Sequence, residues 1–288
     1  RGQLTARLFF VMKTIISPQV MQKCALGWRR DGLRVVLVPT MGALHAGHTG
    51  LIRRARKLAG AKGLVVVSIY VNPAQFNDAR DLRDYPRTLA RDKKLCRAEG
   101  VNVVFAPSEM YAPDASVFVE ETAVACGMEG DSRPGHFRGV ATIVVKLFNL
   151  VMPKIAVFGE KDWQQTALMK RVVRDLDLSV RINTLSTVRE SDGLAMSSRN
   201  VHLNDGQRSQ ATVLWQAIGL ARKAVRSGSL RGLKQKVSLF IEKQPEARVE
   251  YVEFFDGQTM KPAKPQQGVR MAVAAFIGKT RLIDNARI

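Results

Sequence analysis

Short unbroken apolar runs alternate, through the first two thirds of the chain, with stretches whose apolar residues return every three or four positions. The runs "RVVLVPT", "LVVVSIYV", "VNVVFAP", "KIAVFG" and "SVRINTLSTV" predict strands. Between them, His48 to Ala59, "RTLARDKKLCRAEG" (ending at Gly100), "GVATIVVKLFNLVM" and "WQQTALMKRVVRDL" predict helices. Strands without polar alternation, separated by helices, belong to a parallel sheet covered on both faces, so an α/β, doubly wound architecture is expected. Ligands of such sheets sit beyond the carboxyl ends of the strands.

After about Asn200 the texture changes. "GQRSQATVLWQAIGLARKAV" and "LRGLKQKVSLFIEKQ" read as amphipathic helices, and "RVEYVEFFD", "GVRMAVAAFIG" and "TRLIDNARI" as strands of a smaller α+β unit. "DGQTMKPAKPQQG" is the loop between two of those strands. The boundary is expected near residues 187–190, dividing the chain into 12–187 and 188–288. Residues 1–11 are expected to be extra residues ahead of a natural start at Met12.

Composition narrows the class. Of 288 residues, 46% are hydrophobic and 24% charged, the balance of a folded globular protein. "VATIVVKLFNLVM" is too short for a membrane span, is interrupted by Lys146 and Asn149, and reads as a buried helix. Cys24, Cys96 and Cys126 are widely spaced, which fits a reducing compartment and neither a disulfide framework nor a thiolate zinc site. The net charge of +20 raises nucleic acid as a partner. The basic residues are scattered, however, with no basic run interleaved with aromatics, which favours small anions.

Four segments carry candidate chemistry. In "PTMGALHAGH" (Pro39–His48), two of the chain's four histidines stand three apart where a strand gives way to a helix. Backbone N–H groups at a helix start attract phosphate, Gly42 and Gly47 remove side chains from the approach, and His45 and His48 can donate to phosphate oxygens. Zinc would want different spacing and a third ligand. In "FGEKDWQQ", Lys161 is a mobile cation suited to phosphate. Asp162 could cap the following helix or, with Glu160, meet nucleotide hydroxyls or magnesium, and Gln164 and Gln165 offer amides to an oxygen-rich substrate, with a solvated first-turn role the default for either. "TVRESDGLAMSSRN" offers Ser197, Ser198 and Arg199 to a polyphosphate. In "SIYVNPAQF", Pro73 ends a strand and puts Asn72 and Gln75 on the ligand rim. No covalent nucleophile and no Walker A loop accompany them, which suggests transfer at phosphorus by positioning and charge stabilisation.

Together with "DLRDYPRTLARD", "SRPGHFRGVATIVVKLFNLV" and "FIGKTRLIDN", these segments resemble, in order, the pantothenate synthetase (pantoate–β-alanine ligase) family of HIGH-motif nucleotidylyl transferases, from Met12 to the C-terminus. "HAGH" stands at the HIGH position and "MSSR" resembles the KMSKS loop of the related class I aminoacyl-tRNA synthetases. The resemblance implies a Rossmann-like domain binding nucleotide and pantoate, followed by a C-terminal lid domain. It implies a two-step reaction: the carboxylate of (R)-pantoate attacks the α-phosphorus of ATP, and β-alanine then attacks pantoyl adenylate to give pantothenate and AMP. It places Met41, Gly42, Ala43, Leu44, His45, Ala46, Gly47, His48, Gly159, Glu160, Lys161, Asp162, Val188, Met196, Ser197, Ser198 and Arg199 at ATP. Of these, His45, His48, Lys161, Ser197, Ser198 and Arg199 would be catalytic. Gln75 and Gln165 would bind pantoate, with Gln75 also beside β-alanine. Magnesium, a homodimer through the N-terminal domains and a cytoplasmic location are implied as well. Lys154 (where an acidic residue is usual), Ser186 (where proline is usual) and Gly50, which should cost a helix about 1 kcal/mol against alanine, depart from the pattern.

Overall fold

The computed structural model describes residues 11–288, so the expectation about residues 1–11 lies, Val11 apart, outside the described residues. The described residues form a six-stranded parallel sheet from β1 (Lys13–Ile15), β2 (Val35–Thr40), β3 (Leu64–Ile69), β4 (Val103–Phe105), β5 (Ile155–Gly159) and β6 (Arg181–Leu185), in the order β1-β4-β3-β2-β5-β6. From β2 the chain steps outward through β3 to β4, then returns to the other side of β2 for β5 and β6. The order therefore reverses between β2 and β5, where Val36 pairs with Ile155 and Leu37 with Ala156. A crevice at the carboxyl ends of those two strands follows from this topology.

The connecting helices are α1 (Pro18–Arg30), α2 (Ala46–Ala59), α3 (Ala79–Asp84), α4 (Leu89–Ala98), α5 (Glu129–Ser132), α6 (His136–Val151) and α7 (Trp163–Asp175). Strand periodicity decides which helices each residue meets. Val35, Leu37 and Val66 share a core with Met21 of α1, Val140 and Val144 of α6, and Leu168 and Met169 of α7. Val36, Val38, Val65 and Val67 face Ile52 and Ala55 of α2 and Cys96 of α4. Both faces are covered, as continuous apolar strands require. Helix α6 is the buried helix expected, with its apolar residues against the core and Asn149 outside.

The rest of the chain contributes α8 (Asp205–Gln210), α9 (Val213–Arg226), α10 (Leu233–Ile241) and an antiparallel sheet of β7 (Ala247–Phe255), β8 (Arg270–Ile277) and β9 (Thr280–Arg287), order β7-β8-β9. Ala217, Ile218, Val237 and Ile241 close its core against Val273 and Ala275.

The structure differs in detail from the sequence expectation, which names no element at β1, α3 or α5. The first C-terminal helix is two: α8 starts on a capping box between Asn204 and Gln207 and ends at Gln210, before α9 begins at Val213. Helix α2 starts at Ala46, with His45 as its N-cap, one turn-fraction ahead of His48. Helix α1, which the apolar pattern does not predict, is started by Ser17 accepting from the Val20 N–H and by Pro18 in the first turn. Two of the departures from the family pattern, Gly50 and Lys154, have a local structural account. A side chain at Gly50 would press on Leu185 and Val188 at 3.1 and 3.2 Å, so glycine lets α2 approach the end of β6. Lys154 joins the sheet only through its main chain and is exposed.

Gly139 of α6 sits directly against the backbone of Ala74 and Gln75, where any Cβ would overlap the Ala74 carbonyl. Gly139→Ala should therefore push the 73–75 turn away from α6, destabilising the fold by about 1–3 kcal/mol. The measurement is the urea midpoint, expected to fall; an unchanged midpoint would refute this packing constraint.

Candidate active site

A cleft of about 270 Å³ opens at the carboxyl ends of β2 and β5. Its walls include Met41, His45, Gly47, His48, Gln75, Gly159, Lys161, Asp162, Gln165, Val188, Met196, Ser197, Ser198 and Arg199. Residues 130 or more positions apart in sequence meet there. Gly42, Ala43 and Leu44 stand behind that wall, Ala46 is exposed beside it, and Glu160 turns to Arg270 (3.4 Å).

The spacing of the two histidines has a local physical reason. His45 Nδ1 accepts from the Gly47 N–H (3.1 Å), and His48 Nδ1 accepts from the His45 N–H (3.3 Å). This is a reciprocal capping box with imidazoles in place of the usual Ser and Glu. A Cβ on Gly47 would meet the His45 ring at 2.8 Å, so that glycine makes room for the ring as well as for a ligand. Because both Nδ1 atoms accept, each ring carries its proton on Nε2 and offers that N–H as a donor. The rings lie 4.1 Å apart. Burial pushes His48 down to about 3, helped by His45 and Lys161. Burial and Lys161 hold His45 at about 4 against the opposing pull of Asp162. Both are neutral donors at neutral pH.

The loop before them is pinned from a distance. Buried Asp92 of α4 accepts from the Ala43 N–H (3.0 Å) and the Leu44 N–H (2.9 Å), and Thr88 donates to both its oxygens at 3.1 Å. Gly42 and Ala43 both have positive φ, 89° and 50°, so the clamp holds a backbone that L-residues rarely adopt.

Across the switch point, β5 ends at Gly159 and a single 3₁₀ turn, Glu160–Asp162, leads into α7. Asp162 occupies the N-cap position of α7 yet makes no capping hydrogen bond, which leaves its carboxylate beside Lys161 Nζ (3.6 Å) in the cleft. Gln164 is not a solvated first-turn amide. It is buried, and its Nε2 reaches the carbonyls of Val124 (3.0 Å), Cys126 (3.1 Å) and Gly127 (3.1 Å), so it anchors the 124–129 segment. Its neighbour Gln165 is the one that faces the cleft.

Met196–Arg199 arrives on a hairpin in which the Met196 N–H donates to the Val188 carbonyl (3.0 Å). Ser197 caps the short turn that follows, and Arg199 crosses the cleft to pair with Asp81 of α3 at 2.9 Å.

Gln75 is preset from several sides. Its Nε2 reaches Met41 Sδ (2.9 Å), its Oε1 accepts from Asn72 (3.1 Å), and its carbonyl lies 2.8 Å from His136 Nδ1. Asn72 is itself held by Tyr111 (3.0 Å) and the Gly139 carbonyl (3.1 Å). Sequence reading assigned no role to Arg133, His136 or Tyr85, which also line the cleft. The signal was present in "SRPGHFRGV", where a Pro-Gly turn delivers Arg133 and His136 to the start of α6. Burial and Arg133 lower His136 to about 4.

Comparison with known proteins gives a consistent result. Residues 13–287 match the family described as pantoate-β-alanine ligase. The chain is 47% identical to the pantothenate synthetase of Akkermansia muciniphila over 96% of its length and 100% of that protein. It is 46% identical to the pantothenate synthetase of Thermotoga neapolitana over 95% of its length and 99% of that protein. Among solved structures it is similar to pantothenate synthetase from Thermus thermophilus, with a TM-score of 0.87, 39% identity, and coverage of 96% of this chain and 99% of that one. It is similar also to pantoate-β-alanine ligase from Francisella tularensis complexed with β-γ ATP and β-alanine, with a TM-score of 0.79, 32% identity, and coverage of 96% and 98%.

The neutral histidines fix the sign of a pH effect. His45, His48 and His136 have folded values of about 4, 3 and 4, against 6.5 unfolded. Between those limits the unfolded chain binds more protons, so stability is greatest above about pH 6.5 and declines as pH falls. Each histidine contributes a slope of at most about 1.4 kcal/mol per pH unit. Urea midpoints should drop between pH 7.5 and 5, with a shallower drop in His48→Gln; a flat profile would contradict neutral imidazoles.

Proposed function

The chain belongs to the pantoate–β-alanine ligase family, and on that premise we propose how its own residues divide the work. The protein condenses pantoate with β-alanine, using ATP and releasing AMP and pyrophosphate through a pantoyl-adenylate intermediate. It is a ligase that forms an amide bond. The observation that carries the site assignment is the meeting of two neutral Nε2–H imidazoles and Lys161 at the β2/β5 switch point.

Residues 12–187 act as the nucleotide- and pantoate-binding domain and 188–288 as a lid. The triphosphate lies against His45, His48 and Lys161, with Ser197, Ser198 and Arg199 closing from the hairpin. The Val188 carbonyl already accepts within that hairpin, which leaves its N–H for adenine. Gln75 and Gln165 orient pantoate so that its carboxylate meets the α-phosphorus in line with the departing pyrophosphate. Negative charge builds on the phosphate oxygens in that transition state. Fixed donors inside a cleft lower its energy more than mobile water does, because they need no reorganisation. With both imidazoles neutral, their contribution is hydrogen bonding to that charge. The mixed anhydride is then a good electrophile for the amine of β-alanine, so the second step asks chiefly for orientation.

Magnesium is proposed to enter with the nucleotide, where it would neutralise phosphate charge. No cluster of three or more metal-ligating side chains exists among the described residues, and Asp162 is the carboxylate that lines the cleft. That suits an ion held mostly by phosphate oxygens and water, with Asp162 within reach. A homodimer through the sheet-bearing N-terminal half is proposed too, supported by Val117 and Phe118, exposed at 85% and 39%. A cytoplasmic location is supported by three free cysteines.

Purified protein given ATP and Mg²⁺ should release AMP and pantothenate only when pantoate and β-alanine are both present. His48→Ala should slow pyrophosphate release about 10²–10³-fold, as for loss of one donor to a transition-state anion. No turnover from folded protein that binds ATP would mean a different acyl substrate; normal pyrophosphate release by His48→Ala would remove that residue from the mechanism.

A further inference from the structure

The turn that carries Lys161 has few restraints of its own. It is three residues long, and neither it nor the start of α7 has a side-chain cap. Its restraint comes from the other end of the sequence. Asn285 of β9 is buried, and its Nδ2 donates to the carbonyls of Glu160 (3.0 Å) and Lys161 (2.7 Å). Its Oδ1 accepts from Arg270 Nη2 (3.0 Å). Arg270 in turn stacks on Trp163 at 3.5 Å, and the Trp163 indole N–H donates to the Gly257 carbonyl (2.9 Å). Both amide hydrogens of Asn285 are thus spent on two successive carbonyls, and Arg270 settles which end is oxygen.

We propose that Asn285 is a positioning residue for adenylation, holding the Glu160–Lys161 backbone so that Lys161 Nζ meets the transferring phosphate. Only a side chain with two donor hydrogens and an acceptor satisfies all three partners. Aspartate has nearly the same shape and keeps the Arg270 contact, but it turns a carboxylate oxygen toward two carbonyls and repels the turn. The inference rests on the assignment of Lys161 to the triphosphate, and the experiment separates the two.

The experiment measures the half-reactions singly: pyrophosphate release from ATP and pantoate, and pantothenate formation from preformed pantoyl adenylate and β-alanine. Rates are expressed per titrated active site, so that loss of folded protein drops out. Asn285→Asp should slow pyrophosphate release about 10- to 100-fold, the scale of a small misplacement of a catalytic group. Its pantothenate formation from preformed adenylate should keep the parent rate. In a Lys161→Ala background, Asn285→Asp should add no further loss, because it acts through that lysine. Asn285→Ser, which can serve one carbonyl, should fall between the parent and Asn285→Asp and covers the case of poor folding. Equal slowing of both half-reactions, or the same loss with and without Lys161, overturns the proposal and leaves Lys161 in place. Undiminished pyrophosphate release by Lys161→Ala overturns the lysine assignment, and the positioning role with it.

Discussion

The grip of one buried carboxylate on two backbone N–H groups underlies the geometry of the cleft. Asp92 reaches the 43–44 backbone from α4, 49 and 48 positions away in sequence, and Thr88 satisfies it from behind. The backbone it holds passes through positive φ at Gly42 and Ala43. For a non-glycine residue such a conformation costs on the order of 1 kcal/mol or more and persists only where its surroundings impose it. A Cβ on Gly42 would meet Ile69 at 3.0 Å and Asp92 at 3.1 Å, so the loop lies flush against both. Because the loop turns there, His45 arrives in extended conformation as an N-cap, and the imidazole box can close. The histidine pair is therefore downstream of the carboxylate.

The electrostatics of the cleft follow from economy of charge. Lys161, Arg133 and Arg199 line it against Asp162, an imbalance that suits a polyanion. Protonating two imidazoles 4.1 Å apart beside Lys161 would add like charge in a partly desolvated place, and their lowered values express that. Neutral imidazoles avoid this repulsion in the free protein and still present N–H donors. Burial that would penalise a charged histidine thus favours its use as a dipole, and the lysine supplies the net charge.

What the sequence reveals divides by range. Strands β2 and β3 are legible because a strand buried on both faces must be apolar throughout, and α6 because its apolar residues run almost without a break. The His45–His48 motif, Lys161 and the Ser197–Arg199 segment are legible because each is a local pattern of neighbouring residues. Helix α1 is not among the predicted elements although Ser17 and Pro18 mark its start; only Met21 and Ala25 of its 13 residues are buried. Gln164 was misread because its three carbonyl partners lie 35 or more positions upstream, in a segment with no periodicity. Asp92 and Asn285 look like any polar residues of a helix and a strand. Their roles exist only in contacts that span 48 and 124 positions, and no local pattern encodes those.

The hairpin bearing Met196–Arg199 shows how such long-range contacts are graded in strength. At its base Arg189 makes a two-pronged pair with Asp284 at 2.6 and 2.9 Å, with Asp284 almost wholly buried, and stacks on Trp215 at 3.6 Å. At its tip Arg199 pairs with Asp81 by a single contact, both side chains about a third exposed (34% and 39%). An exposed pair of that kind contributes about 0.2–1 kcal/mol, whereas breaking a buried one costs about 3–5 kcal/mol. The base is thus fixed to the last strand, the same strand that holds the Lys161 turn, while the tip is ordered by a contact that a polyphosphate can displace at small cost. Strong restraint at the base and weak restraint at the tip are what the proposed closure of this hairpin over a triphosphate would require.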